Sequence, residues 1–127
     1  MKAIFTYAGI RVEDLEKSVK FYTEVLGMKE TGRGSIEAAK GKVVSLVSED
    51  GGPQLELNFY GKGSKFANEY KVGEAMDHLA FKVDDLDKAL LEAKKLGYPT
   101  VLEMKGTSGS RWAYIEDPDG IYIELFE

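Results

Sequence analysis

The sequence predicts an α+β fold in which two βαβββ modules lie in tandem and together form a curved eight-stranded sheet around a cleft. Three observations predict it. Two helix signals share their capping chemistry, each is preceded by one strand-like run and followed by three, and one motif returns at a constant offset. At 127 residues the chain is one domain's worth, with module one over about 1–60, a connection over about 61–73 and module two over about 74–127.

The first strand is expected over 3–10, where β-branched and aromatic residues concentrate. Asp14 is placed to cap the helix that follows, with Leu15, Val19, Tyr22 and Leu26 at helical spacing and Gly27 to end it. A weaker strand near 28–33 precedes two clearer ones at 43–48 and 54–60, which the turn signal Gly51-Gly52-Pro53 separates. Beyond a connection rich in Gly and Lys comes a strand at 77–83. A helix from about 86 to 96 follows, with Leu86, Leu90 and Ala93 as its buried stripe and Gly97 as its stop. Strands at about 99–103, 111–116 and 121–126 complete the second set. The last two are joined through Asp117-Pro118-Asp119-Gly120, whose side chains and proline-fixed φ favour a tight turn.

The repeat stands on residues. Val12-Glu13-Asp14-Leu15-Glu16-Lys17 matches Val83-Asp84-Asp85-Leu86-Asp87-Lys88 at a constant offset of 71 positions. The same offset pairs Tyr7 with His78 and Arg11 with Lys82, and the final strands pair Glu56 with Glu124.

Composition excludes several classes. A chain with 43% apolar and 31% charged residues and three prolines folds into a core. Its net charge of −5 has the wrong sign for neutralising nucleic-acid phosphates. The lack of cysteine removes disulfides, thiolate metal sites and cysteine nucleophiles. No apolar run approaches the roughly 20 residues of a membrane span. Arg11, Glu13 and Asp14 interrupt the N-terminal stretch before a signal-peptide core forms, so a cytoplasmic protein is expected. One Gln and two Asn beside 28 Lys and Glu follow the trend of proteins from hot environments, and a thermophilic source is expected.

The polar outliers carry the chemistry. Strand side chains alternate between two faces, one of them usually buried, so a carboxylate amid apolar neighbours needs a reason. Glu56 and Glu124 both sit that way, at matching places of the two copies. If the modules pair about a pseudo-twofold axis, Tyr7, Glu56, His78 and Glu124 converge on one cleft, and two carboxylates with an imidazole suit a divalent metal. Taken singly, a strand Glu more often lies on a solvated face and a lone His at the surface. The coincidence of both glutamates in two copies favours the metal.

These motifs resemble the vicinal oxygen chelate superfamily and, within it, glyoxalase I (lactoylglutathione lyase). The resemblance covers Ile10-Arg11-Val12-Glu13-Asp14-Leu15, Phe21-Tyr22, Leu26-Gly27-Met28 and Leu55-Glu56-Leu57 in the first half. In the second it covers Asp77-His78-Leu79-Ala80-Phe81 and Glu116-Asp117-Pro118-Asp119-Gly120, leading to Ile123-Glu124-Leu125. It implies the glyoxalase/bleomycin-resistance/dioxygenase fold and a divalent metal, nickel, cobalt, zinc or manganese, held by Glu56, His78 and Glu124. The first-strand position, His or Gln in glyoxalase I, is Tyr7 here, expected to hydrogen-bond a metal-held water or Glu56 or to serve as a weak fourth ligand.

The implied reaction binds the two vicinal oxygens of a 2-oxoaldehyde thiohemiacetal to the metal. Glu124 removes the carbon-bound proton, an enediolate forms, and Glu56 faces the other side of the carbon, so that both glutamates are catalytic. Arg11, and Lys105 within the loop-like stretch 104–110, match positions that contact an anionic substrate. The resemblance also implies a homodimer, with module one of one chain facing module two of the other. Two alternatives remain open: a metal-dependent epimerase of acyl thioesters in the same superfamily, and a metal-free small-molecule-binding protein of the bleomycin-resistance kind, which Tyr7 favours and the two inward carboxylates oppose.

Overall fold

The computed structural model describes residues 1–2, 7–64, 66–67, 69, 71, 76, 78–106 and 109–127. The chain forms two compact units, Met1–Tyr70 and Lys71–Glu127. Each unit runs strand, helix, three strands. No helix among the described residues is long and apolar enough to cross a membrane.

In the first unit, β1 (Tyr7–Arg11), β2 (Lys29–Ile36), β3 (Gly41–Val47) and β4 (Gln54–Tyr60) form one sheet in the order β1-β4-β3-β2. β1 runs parallel to β4, and the other neighbours are antiparallel. Residues 3–6 of the expected first strand lie outside the described residues. Alternation sorts the sheet by face: Ile10, Val44, Leu46, Leu55 and Leu57 are buried. Helix α1 (Leu15–Lys20) covers this sheet at β3 and β4, burying Leu15 and Val19. Asp14 caps α1 as expected, its carboxylate accepting from the Lys17 N–H at 3.0 Å. The expected single helix to Leu26 divides, because Phe21–Val25 widens into a π-helical turn. There the Thr23 hydroxyl donates to the Val19 carbonyl at 2.8 Å, competing for an acceptor of the α-helical ladder. β2 also runs further than expected, to Ile36, with a bulge between Glu30 and Gly32.

The second unit repeats the plan: β5 (His78–Lys82), β6 (Leu102–Lys105), β7 (Arg111–Glu116) and β8 (Tyr122–Phe126) lie in the order β5-β8-β7-β6, with β5 parallel to β8. Helix α2 (Leu86–Lys95) is capped by Asp85 through the Lys88 N–H at 2.9 Å. It buries the predicted stripe of Leu86, Leu90 and Ala93, and Ala113, Ile115, Ile123 and Leu125 are buried in the sheet. Gly97 ends it at φ 96°, a left-handed conformation that costs a residue without Cβ little. The expected strand at 99–103 begins later, at Leu102, and reaches Lys105. Pro99 has no N–H to give a ladder, and the first donor is Val101, bonded to the Tyr114 carbonyl at 2.8 Å. Lys105, expected in a loop, is therefore the last residue of a strand.

Candidate active site

Register places the polar outliers. In the second unit Glu124 stands between Ala80 of β5 and Tyr114 of β7, and His78 lies two residues before Ala80 on the same sheet face. This face looks away from the buried Ala113, Ile115, Ile123 and Leu125. It carries an open pocket of about 220 Å³ lined by His78, Leu102, Met104, Tyr114 and Tyr122. His78 Nε2 is 3.4 Å from Glu124 Oε2, and the Tyr114 hydroxyl donates to the same oxygen at 2.8 Å. The rings of His78 and Tyr114 meet edge to face at 6.0 Å, and those of Tyr114 and Tyr122 at 6.1 Å.

The first unit repeats the register. Glu56 stands between Gly9 of β1 and Ser45 of β3, and Tyr7 lies two residues before Gly9. Glu56 and Glu124 are thus equivalent in strand position, as are Tyr7 and His78. Gly9 is small for a reason, since a Cβ there would meet the Asn58 amide nitrogen at 3.1 Å. Tyr7 is half-exposed. Arg11 ends β1 opposite Asn58, on the face of Glu56, and its guanidinium donates to the Phe66 carbonyl at 3.4 Å.

The structure brings His78 and Glu124 together and adds Tyr114. Lys105 is not brought to them: it pairs with Arg111, one residue out of phase with the pocket-lining Met104, and so stands on the α2 face. Arg111 confirms that face by binding Asp87 of α2 at 2.8 Å. Among the described residues no three His, Asp or Glu side chains cluster as a cation site. The pair present does fit a metal. Two ligand atoms each about 2.1 Å from one ion, at a near-tetrahedral angle, lie about 3.4 Å apart. The His78–Glu124 separation is 3.4 Å.

The sequence does not single out Tyr114. Its signal is alternation in β7, where Trp112, Tyr114 and Glu116 share one face while Ala113 and Ile115 are buried on the other. Arginine partners at the surface lower two carboxyls. Hydrogen bonds from Arg33 hold Glu30 below the usual carboxylate range, and those from Arg111 do the same to Asp87.

Comparison with known proteins adds an independent finding. Residues 4–125 match the family described as the Glyoxalase/Bleomycin resistance protein/Dioxygenase superfamily. A "Probable lactoylglutathione lyase" of Vibrio parahaemolyticus is 35% identical over 123 residues, covering 93% of this chain and 86% of the relative. The lactoylglutathione lyase of Haemophilus influenzae is 33% identical over 121 residues, covering 93% and 87%. Among solved structures, the trypanothione-dependent glyoxalase I of Leishmania major superposes with a TM-score of 0.79 at 34% identity, covering 99% of this chain and 87% of that one.

Proposed function

The chain belongs to the glyoxalase/bleomycin resistance/dioxygenase superfamily, and on that premise we propose that it is a metal-dependent lyase of the lactoylglutathione lyase type. It would convert the thiohemiacetal of a 2-oxoaldehyde into the isomeric 2-hydroxyacyl thioester. The observation that carries this reading is the His78–Glu124 pair, whose 3.4 Å span suits two ligands of one cation. Glu56, equivalent to Glu124 in strand position, is the third ligand of the proposal. Bound there, nickel, cobalt, zinc or manganese supplies Lewis acidity for charge developing on two vicinal oxygens.

The chain's own residues do the rest. Glu124 accepts the carbon-bound proton and returns it to the adjacent carbon, while the hydroxyl proton passes from the first oxygen to the second, so the product is an isomer and no proton is gained or lost overall. Glu56 is the second catalytic carboxylate of the proposal. Leu102, Met104 and Tyr122 give the pocket beside the His78–Glu124 pair an apolar wall against which the substrate's carbon skeleton would pack. Arg11 is the cation for an anionic thiol carrier, a role that Lys105, on the α2 face, does not share. The protein is proposed to act as a cytoplasmic homodimer, which sedimentation at micromolar concentration tests.

Protein purified without chelator should contain one divalent ion per chain by elemental analysis. It should isomerise the thiohemiacetal of methylglyoxal and glutathione, and Glu124→Gln should lower kcat by about 100-fold or more. Metal-free protein that turns over the thiohemiacetal of no thiol, even after metal addition, would refute the proposal. The aromatic and apolar pocket lining favours one second reading, a binding protein for a flat ligand, which saturable binding of such a ligand by the metal-free protein would support.

A further inference from the structure

We propose that Tyr114 is the positioning residue of Glu124 and makes the two otherwise equivalent glutamates unequal. The inference rests on the lyase reading for the reaction it serves, while its geometry stands by itself. Tyr114 and Glu124 are direct partners across the β7–β8 ladder, so phenol and carboxylate meet on the pocket face, and the hydroxyl donates to Oε2 at 2.8 Å. A hydrogen bond to an ionised acceptor is stronger than one between neutral groups. The phenol is itself held, because its ring packs edge to face with those of both His78 and Tyr122. Glu124 Oε2 is thereby committed to Tyr114 and faces His78 Nε2 at 3.4 Å. Oε1 is left as the oxygen that takes a proton.

The repeat supplies the contrast. The residue across from Glu56 at the equivalent ladder position is Ser45, whose hydroxyl sits on Cβ and lacks the reach of a phenol. Among the described residues no side-chain hydrogen bond holds the Glu56 carboxylate. Both glutamates are placed by the same register, yet only Glu124 is oriented in advance. A pre-oriented carboxylate gives up little rotational freedom when it reacts. Tyr114 thus assigns the proton transfer to Glu124 rather than Glu56.

Tyr114→Phe keeps the ring and its contacts and removes only the hydroxyl. It is made in the native protein and in Glu124→Ala, with cobalt(II) affinity by calorimetry, kcat and KM, and the imidazole NMR signals as readouts. His78 is the only histidine, so those signals are assigned without further labelling. Tyr114→Phe should weaken cobalt(II) binding and lower kcat by about tenfold each with KM nearly unchanged, and should shift the His78 signals. In the Glu124→Ala background the same substitution should change neither cobalt(II) affinity nor the signals. Effects that persist there, or native values in Tyr114→Phe, would overturn the inference. A native protein that binds no cobalt(II) and turns over no substrate refutes the lyase reading instead. The imidazole signals then decide alone: a shift that depends on Glu124 supports the tether, and its absence overturns it.

Discussion

Asp117 anchors the turn that launches β8 and so governs where Glu124 stands. It is almost fully buried, and one carboxylate oxygen accepts from the Asp119 N–H at 2.9 Å and the Ile121 N–H at 2.8 Å. The backbone closes the same loop, with the Asp117 N–H bonded to the Ile121 carbonyl and the Gly120 N–H to the Asp117 carbonyl, both at 3.0 Å. Asp117→Ala leaves two buried donors without their acceptor. At about 1.5 kcal/mol or more for each hydrogen bond to a charged group, the loss is about 3 kcal/mol. For a chain of this length, with unfolding entropy of about 2 cal/mol/K per residue, that corresponds to a Tm lower by about 12 °C. Asp117→Asn keeps an oxygen acceptor and loses only the charge, so about 1 kcal/mol and about 4 °C are expected. Thermal unfolding followed by circular dichroism measures both. An Ala variant within about 2 °C of the native protein, or an Asn variant as damaged as the Ala one, would refute the assignment of this stability to the carboxylate's two bonds.

Three further outcomes are expected. Tyr7→His replaces a phenol, a poor ligand at neutral pH, with an imidazole, and should tighten cobalt(II) binding by about tenfold in competition titrations; unchanged affinity with the fold intact would remove position 7 from the metal's surroundings. Lys40 adopts φ 49° and ψ 39° after the short 3₁₀ turn Glu37–Ala39, so Lys40→Gly should relieve left-handed strain and raise Tm by about 2 to 4 °C, and an unchanged or lower Tm argues otherwise. Arginine partners hold Glu30 and Asp87 below their ordinary values of 4.5 and 3.8. Carboxyls depressed in the folded state stabilise it above those values and stop doing so as pH falls through the folded ones. The Tm difference between the native protein and the Glu30→Gln, Asp87→Asn double variant should therefore be present at neutral pH and close in acid, and a gap that widened in acid would contradict that sign.

The features legible in the sequence are local or periodic. Asp14 and Asp85 cap their helices because a cap needs only a carboxylate three residues before a free N–H, and Gly97 ends α2 because a left-handed residue is most easily a glycine. The Asp117–Gly120 turn is legible for the same reason. Repetition then placed Glu56 and Glu124, and Tyr7 and His78, at equivalent strand positions, which the two sheets reproduce. Which residues face each other across strands depends instead on how separate strands align. The start of β6 depends on which N–H groups find carbonyls on β7, and a one-residue difference in register sends a side chain to the opposite face. Lys105 passed from an expected substrate contact to the α2 face by that rule. By the same rule Tyr114, unremarkable in its own neighbourhood of sequence, came to stand opposite Glu124, ten positions away in the chain and one hydrogen bond away in space. Partnership across a ladder is a property of two strands at once, and neither strand's residues encode it alone.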